Sequence, residues 1–198
     1  KSKIIFRFSS NGHLTSINDR QGNQITLNYD ASDRLISATD SVGRILTFAY
    51  AAADSYRISS VTDPLGRVIR FDYDANNHLI RSTDAMGQVT QYQYTPEHLM
   101  SQITDPRGNA LVRNTYDANG RVVNQTDALG NVYQFAYEVG QVGHVTITNS
   151  MGQVIHHVYD NSLRIVENRD ALGTGIFYGY NQNNLRTEVT DRNDNTLQ

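Results

Sequence analysis

The residues able to do chemistry are 20 carboxylates and six histidines, with no cysteine beside them, so thiol nucleophiles, disulfides and thiolate metal ligands are excluded. Carboxylates in pairs could act as the acid and nucleophile of a glycoside hydrolase, but that chemistry needs two carboxyl groups opposed across a cleft. Here the aspartates recur singly instead, and capping a turn explains them better than catalysis. His156 and His157 form the adjacent histidine pair. Neighbours on a strand point to opposite faces, so these two cannot hold one metal from a regular strand. Rows of aspartate also bind calcium in β-helical repeats, yet the Gly-Gly-x-Gly-x-Asp nonapeptide of those repeats is absent. The sequence therefore assigns no catalytic residue, no metal ligand and no cofactor.

The elements that place these residues are repeats. An Asp-x-x-Gly step runs through Asp19-Gly22, Asp40-Gly43, Asp63-Gly66, Asp84-Gly87, Asp105-Gly108, Asp127-Gly130 and Asp170-Gly173, with Asn149-Gly152 as a near copy and Asp191-Asp194 as a degenerate last one. An aromatic residue before a turn former marks a second series: Phe8, Tyr29, Tyr50, Tyr73, Tyr94, Tyr116, Tyr137, Tyr159 and Tyr180. Both series advance by 21 to 23 residues and stay in phase, which defines one tandem repeat. Its length varies near Ala52–Tyr56, Ala110–Thr115 and Val139–His144, as loop or bulge insertions.

Between the marks the apolar period is two: Ile25, Leu27 and Tyr29 alternate with Gln24, Thr26 and Asn28, and no segment carries a sustained helical stripe. Each half-repeat is thus a strand, some 17 or 18 in all, and almost no helix is predicted. Both connections have the composition of tight hairpin turns, a type I turn closed by a left-handed residue, as in Asp117-Ala118-Asn119-Gly120 and Asp63-Pro64-Leu65-Gly66. That geometry sets Asp30 opposite Arg34, Asp40 opposite Arg44, Asp63 opposite Arg67, Asp74 opposite His78, Asp117 opposite Arg121 and Asp160 opposite Arg164. One pair outward, Tyr29 meets Leu35, Tyr73 meets Leu79 and Tyr116 meets Val122, which makes an aromatic–aliphatic ridge across the sheet. His13, His78, His98 and His144 fall in the slot held elsewhere by arginine. Hairpins joined head to tail give an antiparallel meander, and twisted open sheets rarely exceed about 10 strands without curling or closing, so a curved or spiral sheet is expected.

Composition narrows the function classes. A net charge of −3 and a pI near 6.0 carry no nucleic-acid footprint. No apolar run approaches the ~18 residues of a spanning helix, and Lys1-Ser2-Lys3-Ile4-Ile5-Phe6 lacks the features of a signal peptide, so the chain reads as soluble, with no membrane insertion. At 198 residues it is long enough for a core.

A Tyr-Asp pair, then Gly-Arg-aliphatic, then Thr-Asp-x-x-Gly resembles the YD repeat of bacterial Rhs proteins, Tc-toxin shell components and teneurin ectodomains. Tyr116-Asp117-Ala118-Asn119-Gly120-Arg121-Val122 and Thr126-Asp127-Ala128-Leu129-Gly130 carry the likeness most fully, while Tyr50-Ala51, Tyr94-Thr95, Tyr137-Glu138 and Tyr180-Asn181 depart from it by losing the Asp. The resemblance implies that residues 1–198 are one array of about nine repeats, truncated at both ends, within a hollow β-cocoon enclosing a C-terminal toxin. It also implies a bacterial parent that is exported or on the cell surface, for instance through type VI secretion, as a polymorphic toxin. The partners it implies are the remainder of the shell and the enclosed toxin. Rhs proteins also carry an aspartyl self-cleavage site with Asp-Pro-x-Gly elements, which Asp63-Pro64-Leu65-Gly66 and Asp105-Pro106-Arg107-Gly108 resemble only locally.

The sequence reading is thus an all-β, non-enzymatic wall segment. Its structural positions are the ridge tyrosines, the turn glycines (Gly22, Gly43, Gly66, Gly87, Gly108, Gly130, Gly152 and Gly173) and the turn aspartates Asp40, Asp63, Asp84, Asp105 and Asp127. The alternative is a carbohydrate or cell-surface binding module using exposed tyrosines. Free outer strands also predict edge-to-edge self-association.

Overall fold

Alternating β-branched and aromatic residues, cut every ten or so positions by a turn that needs one left-handed residue, leave the chain little choice but hairpins. The computed structural model describes residues 4–52, 55–138 and 143–197, and among these it contains strands and turns and no helix. The chain divides into two units, Lys1–Tyr92 and Gln93–Gln198. The first carries β1 (Ile5–Phe8), β2 (Leu14–Asn18), β3 (Gln24–Tyr29), β4 (Leu35–Asp40), β5 (Ile45–Tyr50), β6 (Ile58–Thr62), β7 (Val68–Tyr73) and β8 (Leu79–Thr83), and the division falls within β9 (Val89–Tyr94). The second carries β10 (Met100–Thr104), β11 (Ala110–Tyr116), β12 (Val122–Asp127), β13 (Val132–Tyr137), β14 (His144–Thr148), β15 (Val154–Tyr159), β16 (Ile165–Asp170), β17 (Gly175–Tyr180), β18 (Arg186–Thr190) and β19 (Thr196–Leu197). Within each unit every strand pairs antiparallel with its sequence neighbour, so the meander follows chain order.

The register separates two faces. In the first unit Ile17 lies opposite Ile25, Leu27 opposite Ala38, Ala38 opposite Leu46, and Phe48 opposite Val61, itself opposite Ile69. The other face is polar: Ser16 opposes Thr26, Thr26 opposes Thr39, and Ser37 lies between Asn28 and Thr47. Side chains there bond to one another, with Asn18 Nδ2 donating to Gln24 Oε1 at 3.1 Å and Gln24 Nε2 to Thr26 Oγ1 at 3.0 Å. The second unit repeats the apolar row through Phe135, Ile147 and Ile155. Its rows are less uniform, since Gln125 stands between Asn114 and Tyr133, and Asn168 between His157 and Ile176.

The expectation of a core is not met. Among the described residues, the buried side chains are Ser16 and Val158, and no large side chain is fully buried. The physical reason is that each unit is a single layer, and a sheet with nothing stacked on it covers its residues only by their strand neighbours. The expected bulge in Ala110–Thr115 is present: Ile103 opposes Val112 while Thr104 opposes Ala110, leaving Leu111 as the extra residue. The insertions at Ala52–Tyr56 and Val139–His144 fall partly outside the described residues.

Candidate functional site

Each turn is built the same way. In the hairpin after β3, Asp30 N–H donates to the Arg34 carbonyl at 2.9 Å, Asp33 N–H donates back to the Asp30 carbonyl at 3.0 Å, and Asp33 has φ +61°. One oxygen of the Asp30 carboxylate accepts the N–H groups of Ser32 and Arg34, and the other takes Arg34 Nε at 2.8 Å. The same Asp–Arg pair closes Asp40–Arg44, Asp117–Arg121 and Asp160–Arg164 at 2.6–2.7 Å and also Asp63–Arg67, while His78 meets Asp74 at 2.9 Å. The hydrogen bond from the Arg34 side chain is the first cause holding the Asp30 carboxyl below the usual range, as that from Arg164 is for Asp160. At Asp105 and Asp127, Asn109 and Asn131 do the same without a charge. These carboxylates are engaged in holding turns, not set in opposed pairs.

The turn glycines sit where the backbone demands them. Gly22, Gly43, Gly66, Gly87, Gly108, Gly130, Gly152 and Gly173 all have φ between +76° and +87°, a region that side chains other than Asn or Asp rarely enter. At Asp84, the turn carboxylate accepts from Met86 and Gln88.

The tyrosines do more than pair with the aliphatic residue opposite. Tyr29 opposes Leu35, Tyr73 opposes Leu79 and Tyr116 opposes Val122, as the turn geometry required. In addition, the hydroxyl crosses to the preceding repeat: Tyr29, Tyr50, Tyr73, Tyr137 and Tyr180 donate to the carbonyls of Leu14, Leu35, Ile58, Val122 and Ile165 at 2.8–3.0 Å. Tyr116 reaches the Met100 carbonyl, one residue further back in sequence than the others, because of the bulge at Leu111. The Tyr159 hydroxyl lies 3.5 Å from His157 Nδ1, and Tyr94 ends β9.

A further contact, absent from the sequence reading, ties one repeat to the next. The guanidinium of Arg34 lies 4.7 Å from the Tyr50 ring centre, Arg121 lies 4.2 Å from that of Tyr137 and Arg164 4.6 Å from that of Tyr180. The His13 ring stacks on Tyr29 at 4.9 Å, so histidine fills the arginine's place there. Arg34 also donates to the carbonyls of Ala52 and Ser55, and Arg164 to the Asn181 carbonyl and Asn184 Oδ1, both in the next Tyr-side turn. Each such arginine is gripped by its own aspartate and laid on the next repeat's tyrosine. The signal was legible: Arg34–Tyr50, Arg121–Tyr137, Arg164–Tyr180 and His13–Tyr29 are each sixteen positions apart.

The histidine assignment needs one correction. His13, His78 and His144 occupy the arginine slot, their carbonyls accepting from Ser9, Asp74 and Glu138. His98 does not: Thr95 N–H bonds to the Leu99 carbonyl, and His98 itself takes the left-handed position at φ +67°. Leu99 therefore holds the slot, and the residue opposite it is Thr95 rather than an acid. His156 Nδ1 lies 3.0 Å from Thr146 Oγ1, while His157 opposes Val145 and Asn168 on the other face. A cavity of about 910 Å³ opens on the aromatic side of the second unit, lined by Phe135, Tyr137, Val145, Ile147 and Tyr159 and also by Glu138 and His144. That lining is a patch of the ridge, with His144 Nδ1 3.8 Å from Glu138 Oε2.

Comparison with known proteins agrees with this geometry. The chain matches the RHS repeat family over residues 73–110 and 116–154 and the teneurin YD-shell family over residues 2–88. Among solved structures, the crystal structures of TcdB2-TccC3-Cdc42 and of TcdB2-TccC3 without its hypervariable C-terminal region each align at 12% identity and a TM-score of 0.50, over 94% of this chain. The chain spans 13% of the length of those proteins, and the likeness is one of fold. A search of curated proteins finds no match. The shared rhythm, the pairing and the two family matches identify the chain as a member of the YD-repeat shell proteins of Rhs and teneurin type, in which such repeats are structural.

Proposed function

We propose that this chain is a stretch of wall in a β-cocoon that encloses a toxic C-terminal segment of its parent, a bacterial polymorphic toxin that is exported or displayed at the surface, and that the stretch itself performs no catalysis. The observation that supports this reading is the inter-repeat clamp, in which a turn aspartate, an arginine and the next tyrosine tie one hairpin to the next at Arg34–Tyr50 in the first unit and at Arg121–Tyr137 and Arg164–Tyr180 in the second. All of residues 1–198 act as one repeat array in this reading, and the ridge tyrosines, turn glycines and turn aspartates are its structural positions. A curved sheet follows from its strand number, and export by a type VI or a comparable machine fits a sealed, non-reactive container. The carbohydrate-binding alternative is less well supported, because sugars stack on open ring faces, whereas Tyr29, Tyr50, Tyr137 and Tyr180 each have a histidine or arginine on one face and a hydroxyl tied to a carbonyl.

The experiment is protease protection in the parent polypeptide. With the native wall, the downstream cargo resists added protease. A parent carrying Arg34→Ala, Arg121→Ala and Arg164→Ala opens at lower denaturant and releases cargo fragments sooner. Equal cleavage of the cargo with native and weakened walls contradicts the enclosure.

A further inference from the structure

One repeat of the second unit keeps the two ends of the clamp and lacks its middle. Elsewhere a turn acid holds an arginine at 2.6–2.7 Å and that arginine lies on the next tyrosine, as in Asp30–Arg34–Tyr50, Asp117–Arg121–Tyr137 and Asp160–Arg164–Tyr180. The corresponding residues here are Glu138, His144 and Tyr159. His144 Nδ1 stays 3.8 Å from Glu138 Oε2, beyond hydrogen-bond reach, and among the described residues the ring beside Tyr159 is that of His157, edge-on at 6.2 Å. The position sixteen before Tyr159, from which arginine reaches the ring in other repeats, is Gly143. It has no room for a side chain, because its φ is +85° and an added Cβ would run into the Tyr159 carbonyl oxygen. At Tyr116 the arginine is replaced too, but by Leu99 facing Thr95, a neutral pair that leaves no charge behind. Around Tyr159 a carboxylate and an aromatic ring are left without the cation that joins them elsewhere.

We propose that this place is a berth for a guanidinium brought by another chain segment: it binds the arginine side chain of a separate peptide, with the cation held between the Glu138 carboxylate and the Tyr159 ring. Both groups line the cavity of about 910 Å³, among whose described lining residues Glu138 is the one carboxylate. Arg121 also lines it, but its guanidinium is already held by Asp117 and laid on Tyr137. Arginine suits the berth better than lysine, because a planar guanidinium meets a carboxylate along one edge while stacking on a ring, as Arg34, Arg121 and Arg164 do in this fold. The cavity is larger than one guanidinium needs and falls within the roughly 300–1,000 Å³ of ligand sites. Its remaining wall includes Phe135, Val145 and Ile147, so apolar residues on either side of the arginine complete the fit. The Glu138 side chain is 44% exposed, which keeps the ion pair modest and leaves the ring and the apolar wall to add affinity. This inference concerns one cavity and stands whether or not the wall encloses a cargo.

Titration of the chain with the peptide acetyl-Leu-Arg-Leu-amide, followed by NMR at the Tyr159 ring and the Val145 and Ile147 methyl groups, tests it. The peptide is expected to bind saturably. Its citrulline counterpart, of the same shape without the charge, should bind about fivefold more weakly, the size of one cation–ring contact. Glu138→Gln should weaken the arginine peptide by a similar factor. His144→Arg supplies the missing cation from within the turn and is expected to close the berth, so that the peptide no longer binds. The methyl spectrum reports whether each variant keeps the native fold, and the comparison of arginine with citrulline on the native chain carries the test where one does not. No saturable binding, equal affinity for the citrulline peptide, or undiminished binding in a folded Glu138→Gln or His144→Arg chain would each overturn the proposal.

Discussion

Gly87 offers a clean test of the turn chemistry, because its backbone and its surroundings make separate demands. It closes the Asp84-Ala85-Met86-Gly87 turn at φ +81°, with its N–H on the Asp84 carbonyl at 3.0 Å. A Cβ built there would meet nothing within 4 Å, so no steric clash enters and any cost is that of the left-handed backbone alone. That cost is about 1–2 kcal/mol for an ordinary L-residue, and loss of unfolded-chain freedom on replacing glycine returns about 0.4–1 kcal/mol. Gly87→Ala should therefore lose about 1 kcal/mol net. Gly87→Val should lose about 2 kcal/mol, because branching at Cβ strains this region further. Gly87→Asn should be close to neutral, since Asn77 and Asn184 already adopt φ +68° and +61° in matching turn positions. Urea unfolding followed by circular dichroism, with a common m-value, measures all three. Alanine and valine variants as stable as the native chain, or an asparagine variant as weak as valine, would refute the argument that backbone conformation selects glycine here.

The clamp predicts coupling between repeats: a double-mutant cycle on Arg121→Leu and Tyr137→Leu should return an interaction of about 0.5–1 kcal/mol, and strict additivity would remove the clamp from the account. Gly175 is a glycine for a different reason, since an added Cβ would run into the Asn168 carbonyl oxygen and lie 2.6 Å from Arg169 Cγ. Gly175→Ala should cost about 1–3 kcal/mol as the strands part, and an unchanged urea midpoint would contradict that packing. Acid should weaken the fold through its turns. Asp30, Asp105, Asp127 and Asp160 are held below the usual carboxylate range by side-chain hydrogen bonds from Arg34, Asn109, Asn131 and Arg164. The unfolded chain thus binds more protons than the folded one as pH falls through this range. Their stabilisation is fully present above about pH 4–5 and is lost as pH drops through the depressed values. A melting temperature that is level from pH 7 to 5 and falls below 4 is the expected profile, and a rise below pH 4 would reverse the sign of the argument.

Most of the fold was legible because its rules are local. A turn that needs Asp at one end and a left-handed residue at the other fixes the register of the strands beside it, so Asp117 opposite Arg121 and Tyr116 opposite Val122 follow from the spacing alone. The strand number was short by one or two, since β19 is only two residues long, Thr196–Leu197. What the sequence reading missed was contact between repeats, although its sixteen-residue spacing was there to be read. The Arg34–Tyr50 stack depends on how far a side chain leans across neighbouring strands, which a pairing rule for one hairpin does not contain. His98 was displaced by one position because Thr95-Pro96-Glu97-His98 offers no glycine to mark its left-handed residue, and histidine takes that place. The absent core has a similar origin: 38% apolar residues suffice for a layered domain, but period-two patterning cannot say whether a second layer covers the apolar face.

Electron cryomicroscopy of the parent polypeptide tests the central claim most directly. The account predicts a closed β-walled shell in which residues 5–197 form consecutive hairpins of the wall, with density for the cargo inside. A parent whose repeats form an open appendage, with the cargo folded in solvent beside it, would contradict the account.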